Sequence, residues 1–189
     1  MSLVEPPLTA GEELTIASDG LDLAGYLVRP TSAASPGGGR HGLVLCHGFP
    51  VSAAAASGAD RNYIELADRL CRETGWVVLT FGFRGIGGSP GNFSLAGWLR
   101  DLHAATEALR ASPGVDGVWL CGFAAGGSLA LCAAGEDPEV RGVAALAAPA
   151  DFADRAADPR RLVAQARAAG VIRDPAFPPD LDAWARELR

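Results

Sequence analysis

Apolar and polar positions alternate with a period of two along ELTIAS (13–18) and LDLAGYLVRP (21–30), and Asp19-Gly20 separates the two runs. That pattern predicts two antiparallel strands joined by a tight turn. Further on the alternation gives way to short continuous apolar runs: GLVLCHG (42–48), WVVLTFGF (76–83), VDGVWLCG (115–122) and RGVAALAAPA (141–150). Runs of this kind are expected of strands buried on both faces of a parallel sheet. Between them the period lengthens. In 60–75, Tyr63, Ile64, Ala67, Leu70 and Cys71 share one helical face, and Gly75 supplies a stop signal. In 94–110, Leu95, Trp98, Leu99, Leu102, Thr106 and Leu109 recur at helical spacing behind a Ser94 cap. A third helix is predicted over 125–134. Strands alternating with helices predict an α/β fold, a mostly parallel sheet with helices on both faces.

The segment TSAASPGGGR (31–40) reads as a loop. From Asp151 the chain becomes charged and helical, with an interruption at RDPAFPPD (173–180), and it ends in DLDAWAREL, a helical pattern without a stop signal. The division that follows is a core over 1–150 and a helical tail over 151–189, read as a partial cap.

Composition narrows the partners. The 189 residues suffice for one domain with a sizeable core, and 49% hydrophobic with 20% charged residues marks a globular chain. A net charge of -6 and a pI near 5.0 argue against nucleic acid and against an anionic membrane surface, both of which require clustered Lys and Arg. The densest basic spot, DPRR (158–161), reads as a solvated helix end. The start, MSLVEPPLTAGEEL, has neither the basic segment nor the apolar core of an export signal. The run Gly117–Gly135 is uncharged and long enough to span a bilayer. Its glycines and strand-like first half favour a buried strand–turn–helix instead. Cys46, Cys71, Cys121 and Cys132 lie in apolar segments without C-x-x-C spacing, so they are expected to be free thiols in a reducing, cytoplasmic compartment. No metal and no cofactor is expected.

The candidate chemistry lies in VWLCGFAAGGSLAL (118–131), an apolar strand, a glycine turn and a helix start. Gly122, Phe123, Ala124, Ala125 and Gly126 occupy the five places of a G-x-S-x-G nucleophile elbow, with alanine where the serine would stand. With LVLCHGFP and VVLTFGFRGIGGSPG upstream in the same order, the chain resembles the α/β-hydrolase fold family from about Leu14 to Asp151. The resemblance implies the strand order 1-2-4-3-5-6, with the second strand antiparallel to the rest. It implies that the Phe49 and Ala125 N–H groups form an oxyanion hole, that His47 in the His47-Gly48 turn braces the loop aiming Phe49, and that Gly85, Gly87 and Gly88 allow the turn behind Arg84. Gly122 and Gly126 would permit the crowding of the elbow, and Gly127 the close approach of the helix to the sheet.

Two parts of that chemistry are missing. Alanine has no attacking atom, and Ser128, Ser89 and Cys121 are poorly placed to substitute: one turn into a helix, behind the arginine turn, and on a buried strand. The family order places the His last, whereas His41, His47 and His103 all precede Ala124. Asp151 reads as a helix cap rather than a catalytic acid. Loss of a triad serine costs on the order of 10⁶-fold in turnover. The two further strands that carry the family's acid and His are also lacking.

Three readings follow. The chain is a catalytically silent homologue of esterases that binds a ligand or partner, with a small acyl- or ester-like molecule the expected ligand. Alternatively, it is an active carboxylic-ester or related acyl hydrolase, inactivated by serine-to-alanine replacement and shortened after Arg189. Or it is an interaction module. The silent homologue is preferred, since a chain without chemistry can lose its base along with its nucleophile. In each case the sixth strand would be an apolar edge, expected to recruit a second copy or a complementing C-terminal segment.

Overall fold

The computed structural model describes residues 9–31, 39–50 and 52–188. The first eight residues and most of the predicted loop at 31–40 lie outside that set. Strands β1 (Thr9–Ser18) and β2 (Leu21–Pro30) form the expected hairpin. Asp19 and Gly20 both have positive φ, 49° and 76°, as a two-residue type I′ turn requires. There follow β3 (Arg40–Cys46), α1 (Ala53–Thr74), β4 (Val77–Phe81), α2 (Leu95–Arg110), β5 (Val115–Phe123), α3 (Ala125–Glu136) and β6 (Val140–Leu146). The tail holds α4 (Ala153–Ala157), α5 (Pro159–Ala168) and α6 (Leu181–Arg186).

The sheet runs β1-β2-β4-β3-β5-β6, antiparallel at β1–β2 and β2–β4 and parallel thereafter. This is the order the sequence implied. Helices cover both faces. On one, Ala67 and Cys71 of α1 pack on Val28, Leu45 and Val78. On the other, Trp98, Leu102 and Leu109 of α2 and Leu129 and Ala130 of α3 pack on Val44, Leu79 and Leu120. Ser94 caps α2 by accepting from the Gly97 N–H at 3.0 Å. No helix is long and apolar enough to cross a membrane among the described residues.

Four details differ from expectation. Helix α1 begins at Ala53 rather than at residue 60, because the alanine run after Ser52 is itself helix-forming and Ala56 N–H already bonds the Ser52 carbonyl. Strand β4 stops at Phe81, although the Gly82 N–H still bonds the Ala24 carbonyl of β2. Gly88 is absent from the positive-φ residues, so only Gly85 (82°) and Gly87 (53°) make the turn behind Arg84. Helix α6 closes at Arg186, with the Glu187 N–H bonding back to the last turn, and does not run on to the end of the chain.

The tail is built into the core. Leu162, Val163, Val171, Ile172, Trp184 and Leu188 are buried in the same apolar cluster as α2 and α3. The Trp184 indole donates to the Phe93 carbonyl (3.1 Å), and Phe93 N–H donates to the Val171 carbonyl (2.8 Å). Arg173 bonds the carbonyls of Gly85 and Gly87. The tail therefore crosses the turn after β4 and the start of α2.

Candidate functional site

The turn from β5 into α3 is held by contacts too close for any side chain. A Cβ on Gly122 would stand 2.3 Å from the Gly126 carbonyl oxygen, and one on Gly126 would stand 2.3 Å from that of His47. Ala124 sits at the tip with φ 48° and ψ −121°, a conformation that L residues rarely adopt, and it is exposed to solvent. Its N–H donates to the Leu146 carbonyl at the end of β6 (2.8 Å), and its carbonyl accepts from Gly127 N–H (2.9 Å). The turn holds this strained geometry around an alanine.

The His47-Gly48 turn lies directly against the tip, since a Cβ on Gly48 would come 2.9 Å from the Ala124 methyl. Ala125 opens α3, so its N–H has no acceptor within the helix. No hydrogen bond from the Phe49 N–H is found among the described residues. The Phe49 ring packs on Phe93 (5.0 Å) and Trp98 (6.1 Å), and the Arg155 guanidinium of α4 lies 5.3 Å above it. The tail thus reaches over the loop beside Ala124.

His47 is buried, and both its ring nitrogens are engaged. Nδ1 faces the Gly48 carbonyl at 2.9 Å and must donate, while Nε2 accepts from the Phe83 N–H at 3.4 Å. The lone pair a base would use is spent on the backbone. His41 is exposed and meets the edge of Trp76 (4.9 Å), and His103 pairs with Glu136 (2.9 Å). Neither is brought to the elbow.

The substitute nucleophiles are engaged elsewhere. Ser128 Oγ donates to the Pro149 carbonyl (2.7 Å), and the fully buried Ser89 Oγ donates to the Gly82 carbonyl (2.7 Å) while accepting from Ala24 N–H. Burial pushes the thiols of Cys46 and Cys121 above the ordinary cysteine range, against thiolate formation. Asp151 accepts from Ala153 N–H at the start of α4.

Sequence reasoning missed Asp101. It is fully buried and receives the Arg84 guanidinium through Nε (3.1 Å) and Nη2 (2.7 Å), the Arg84 N–H (2.9 Å) and the Ser18 hydroxyl (2.7 Å). Burial disfavours the Arg84 charge. The hydrogen bonds and charges of Asp101 and Asp19 more than offset it and raise its pKa. Arg84 therefore clamps the turn before Gly85 to α2 and the β1–β2 turn. The signal was available: Asp101 stands three residues after Trp98 and four before Ala105, on the buried face of α2. A charge there needs a buried counter-ion.

A cavity of about 350 Å³ opens between α1 and the β1–β2 hairpin, lined by Tyr26, His47, Tyr63, Thr80 and Phe81 among others. Ala124 is not part of its wall.

The sequence matches the family described as alpha/beta hydrolase fold over residues 43–189. Among solved structures, an esterase of Pyrococcus furiosus superposes with a TM-score of 0.61 at 20% identity, covering 82% of this chain and 55% of that one. Est1E of Butyrivibrio proteoclasticus with ferulic acid bound gives 0.63 at 22%, covering 76% and 55%. The alpha/beta hydrolase GrgF of Penicillium sp. sh18 gives 0.60 at 25%, covering 85% and 54%. The chain thus spans little more than half the length of these proteins. No curated protein sequence matches significantly.

Proposed function

Since the chain belongs to the alpha/beta hydrolase fold family, we propose that it is a catalytically silent homologue of esterases, which binds a small acyl- or ester-like ligand at the elbow without turning it over. One observation carries this reading. The elbow keeps its strained conformation and exposed tip around an alanine, so the mount for the reacting carbonyl is retained while the attacking atom is absent.

The chemistry available is binding. The Phe49 and Ala125 N–H groups are the donors for a carbonyl or carboxylate oxygen of the ligand, strengthened by the positive end of the α3 dipole. Phe49 follows the glycine that abuts the tip, and the Arg155 guanidinium lies over its ring. His47 holds the loop in place through its two backbone bonds and supplies no base. Loss of the nucleophile alone costs on the order of 10⁶-fold, and the loss of the base is not additive with it.

The test has two arms. Hydrolysis of p-nitrophenyl butyrate by this chain is expected at background, and Ala124→Ser is expected to leave it there, since His47 is committed to the backbone and neither His41 nor His103 is brought to the elbow. Titration with butyrate is expected to move the amide resonances of Phe49 and Ala125. Enzymatic turnover by the chain, or its recovery in Ala124→Ser, overturns the silent reading. Unmoved Phe49 and Ala125 amides overturn the ligand.

A further inference from the structure

The cavity between α1 and the β1–β2 hairpin plays no part at the elbow. Tyr26 packs on the apolar cluster under α1, beside Ala67 and Cys71. By strand alternation Ala24 faces the same way, and so does Glu13, the partner of Tyr26 on β1. Tyr63 of α1, His47 and Gly88 stand around the same space. The described walls all fall within residues 13–88, whereas the buried part of the tail packs with α2 on the other face of the sheet.

Small residues open the mouth of this cavity. The backbone of Gly88 does not require glycine, since its φ is not positive. A Cβ there would meet only the methyl of Ala24, at 3.4 Å, and both residues are exposed. What a glycine beside an alanine provides here is room. The resulting volume of about 350 Å³ lies in the range of small-molecule sites.

The lining is aromatic and carries charge of one sign. Glu13 is exposed, directly across from Tyr26, and no arginine or lysine lines the cavity among the described residues. The Tyr26 hydroxyl donates to Asp68 at 2.8 Å, and a phenol polarised by a carboxylate presents a more electron-rich ring. His47 brings no charge, because its Nε2 already accepts the Phe83 N–H. Burial pushes the Tyr63 phenol up to about 12, so it keeps its proton at neutral pH, and among the described residues its hydroxyl has no hydrogen-bond partner. Aromatic rings beside a carboxylate, with no cation in the wall, are the chemistry that selects an organic ammonium ion. An anion would meet Glu13 and Asp68 with nothing to offset them.

We propose that this cavity binds a small protonated aromatic amine, with its ring inside against Tyr63 and His47 and its ammonium group at the mouth between Glu13 and Tyr26. The site is separate from the elbow, since Ala124 is not in its wall, and it stands whether or not an acyl ligand binds there. Titration of the isotope-labelled protein at neutral pH with phenethylamine is expected to move the amide resonances of Ala24 and Tyr26, saturating at about millimolar concentration, as a ligand of that size allows. Phenethyl alcohol, of the same shape without the charge, should bind at least about fivefold more weakly, and hydrocinnamate more weakly still. Glu13→Gln, at an exposed position, should weaken the amine roughly threefold and leave the alcohol unchanged. Ala24→Leu should fill the mouth and abolish binding of both, with the thermal transition retained. Unmoved Ala24 and Tyr26 amides overturn the proposal. So do an alcohol or a carboxylate that binds as tightly as the amine, an unchanged amine affinity in Glu13→Gln, and a folded Ala24→Leu that still binds.

Discussion

Replacing Ala124 by glycine should stabilise this protein, although an alanine-to-glycine change ordinarily does the reverse. Ala124 is held at φ 48° and ψ −121°, where a non-glycine residue carries about 1–3 kcal/mol of strain. Glycine relieves that strain. Against it stands the greater freedom of glycine in the unfolded chain, about 0.4–1 kcal/mol. The methyl group is exposed, so its removal forfeits little burial. The expected net gain is about 1 kcal/mol, which in a chain of this size raises Tm by roughly 2–4 °C. Thermal and urea unfolding of Ala124→Gly measure it. Ala164→Gly, at an exposed position inside α5, serves as the control and should lose about 1 kcal/mol. Equal losses in the two variants would refute the reasoning: the elbow would then not be strained, and its shape would owe nothing to the contacts around Gly122 and Gly126.

Three other outcomes are expected. Tyr26 and Tyr63, the chain's two tyrosines, are each pushed up to about 12, mainly by burial and for Tyr26 also by its hydrogen bond to Asp68. Because the folded values exceed the unfolded value of 10.0, their contribution is present below pH 10 and is lost as pH rises towards 12. Absorbance of phenolate in the native protein should lag that of the unfolded chain across this window, and a native titration near 10 would contradict it. Asp101→Asn leaves Arg84, whose side chain is 10% exposed, with only Asp19 as a counter-charge, and should cost about 3 kcal/mol in urea unfolding; a loss under about 1 kcal/mol would show the clamp to be dispensable. Gly122→Ala drives a Cβ to within 2.3 Å of a backbone oxygen and should cost roughly 3 kcal/mol. Gly88→Ala, which meets only the Ala24 methyl at 3.4 Å, should be tolerated, and the contrast between the two is the check.

Much of the fold is legible in the chain itself. Period two marked the hairpin and continuous apolar runs the buried strands. The His47-Gly48 turn, the arginine turn and the elbow, in that order, carried the resemblance that implied the strand order later found in the sheet. These readings succeed because they rest on local periodicity and on backbone geometry that only certain residues allow. The lack of a serine at position 124 and of any histidine after it is likewise a matter of sequence alone. What the sequence could not decide is which groups meet across long separations. Ser18 and Asp101 are 83 residues apart, yet share a hydrogen bond. The commitment of both His47 nitrogens depends on Phe83, 36 residues on. The charged, helical tail looked peripheral because its large buried residues, Leu162, Val163, Val171, Ile172, Trp184 and Leu188, are scattered among charged and polar ones, and only the position of α2 shows what they pack against. The persistence of strain at Ala124 was likewise undecided by its residue type, since alanine relaxes freely unless its neighbours hold it, and here the turn is held by the close approach of Gly122 to Gly126 and of Gly126 to His47, with the Ala124 N–H bonded to the Leu146 carbonyl.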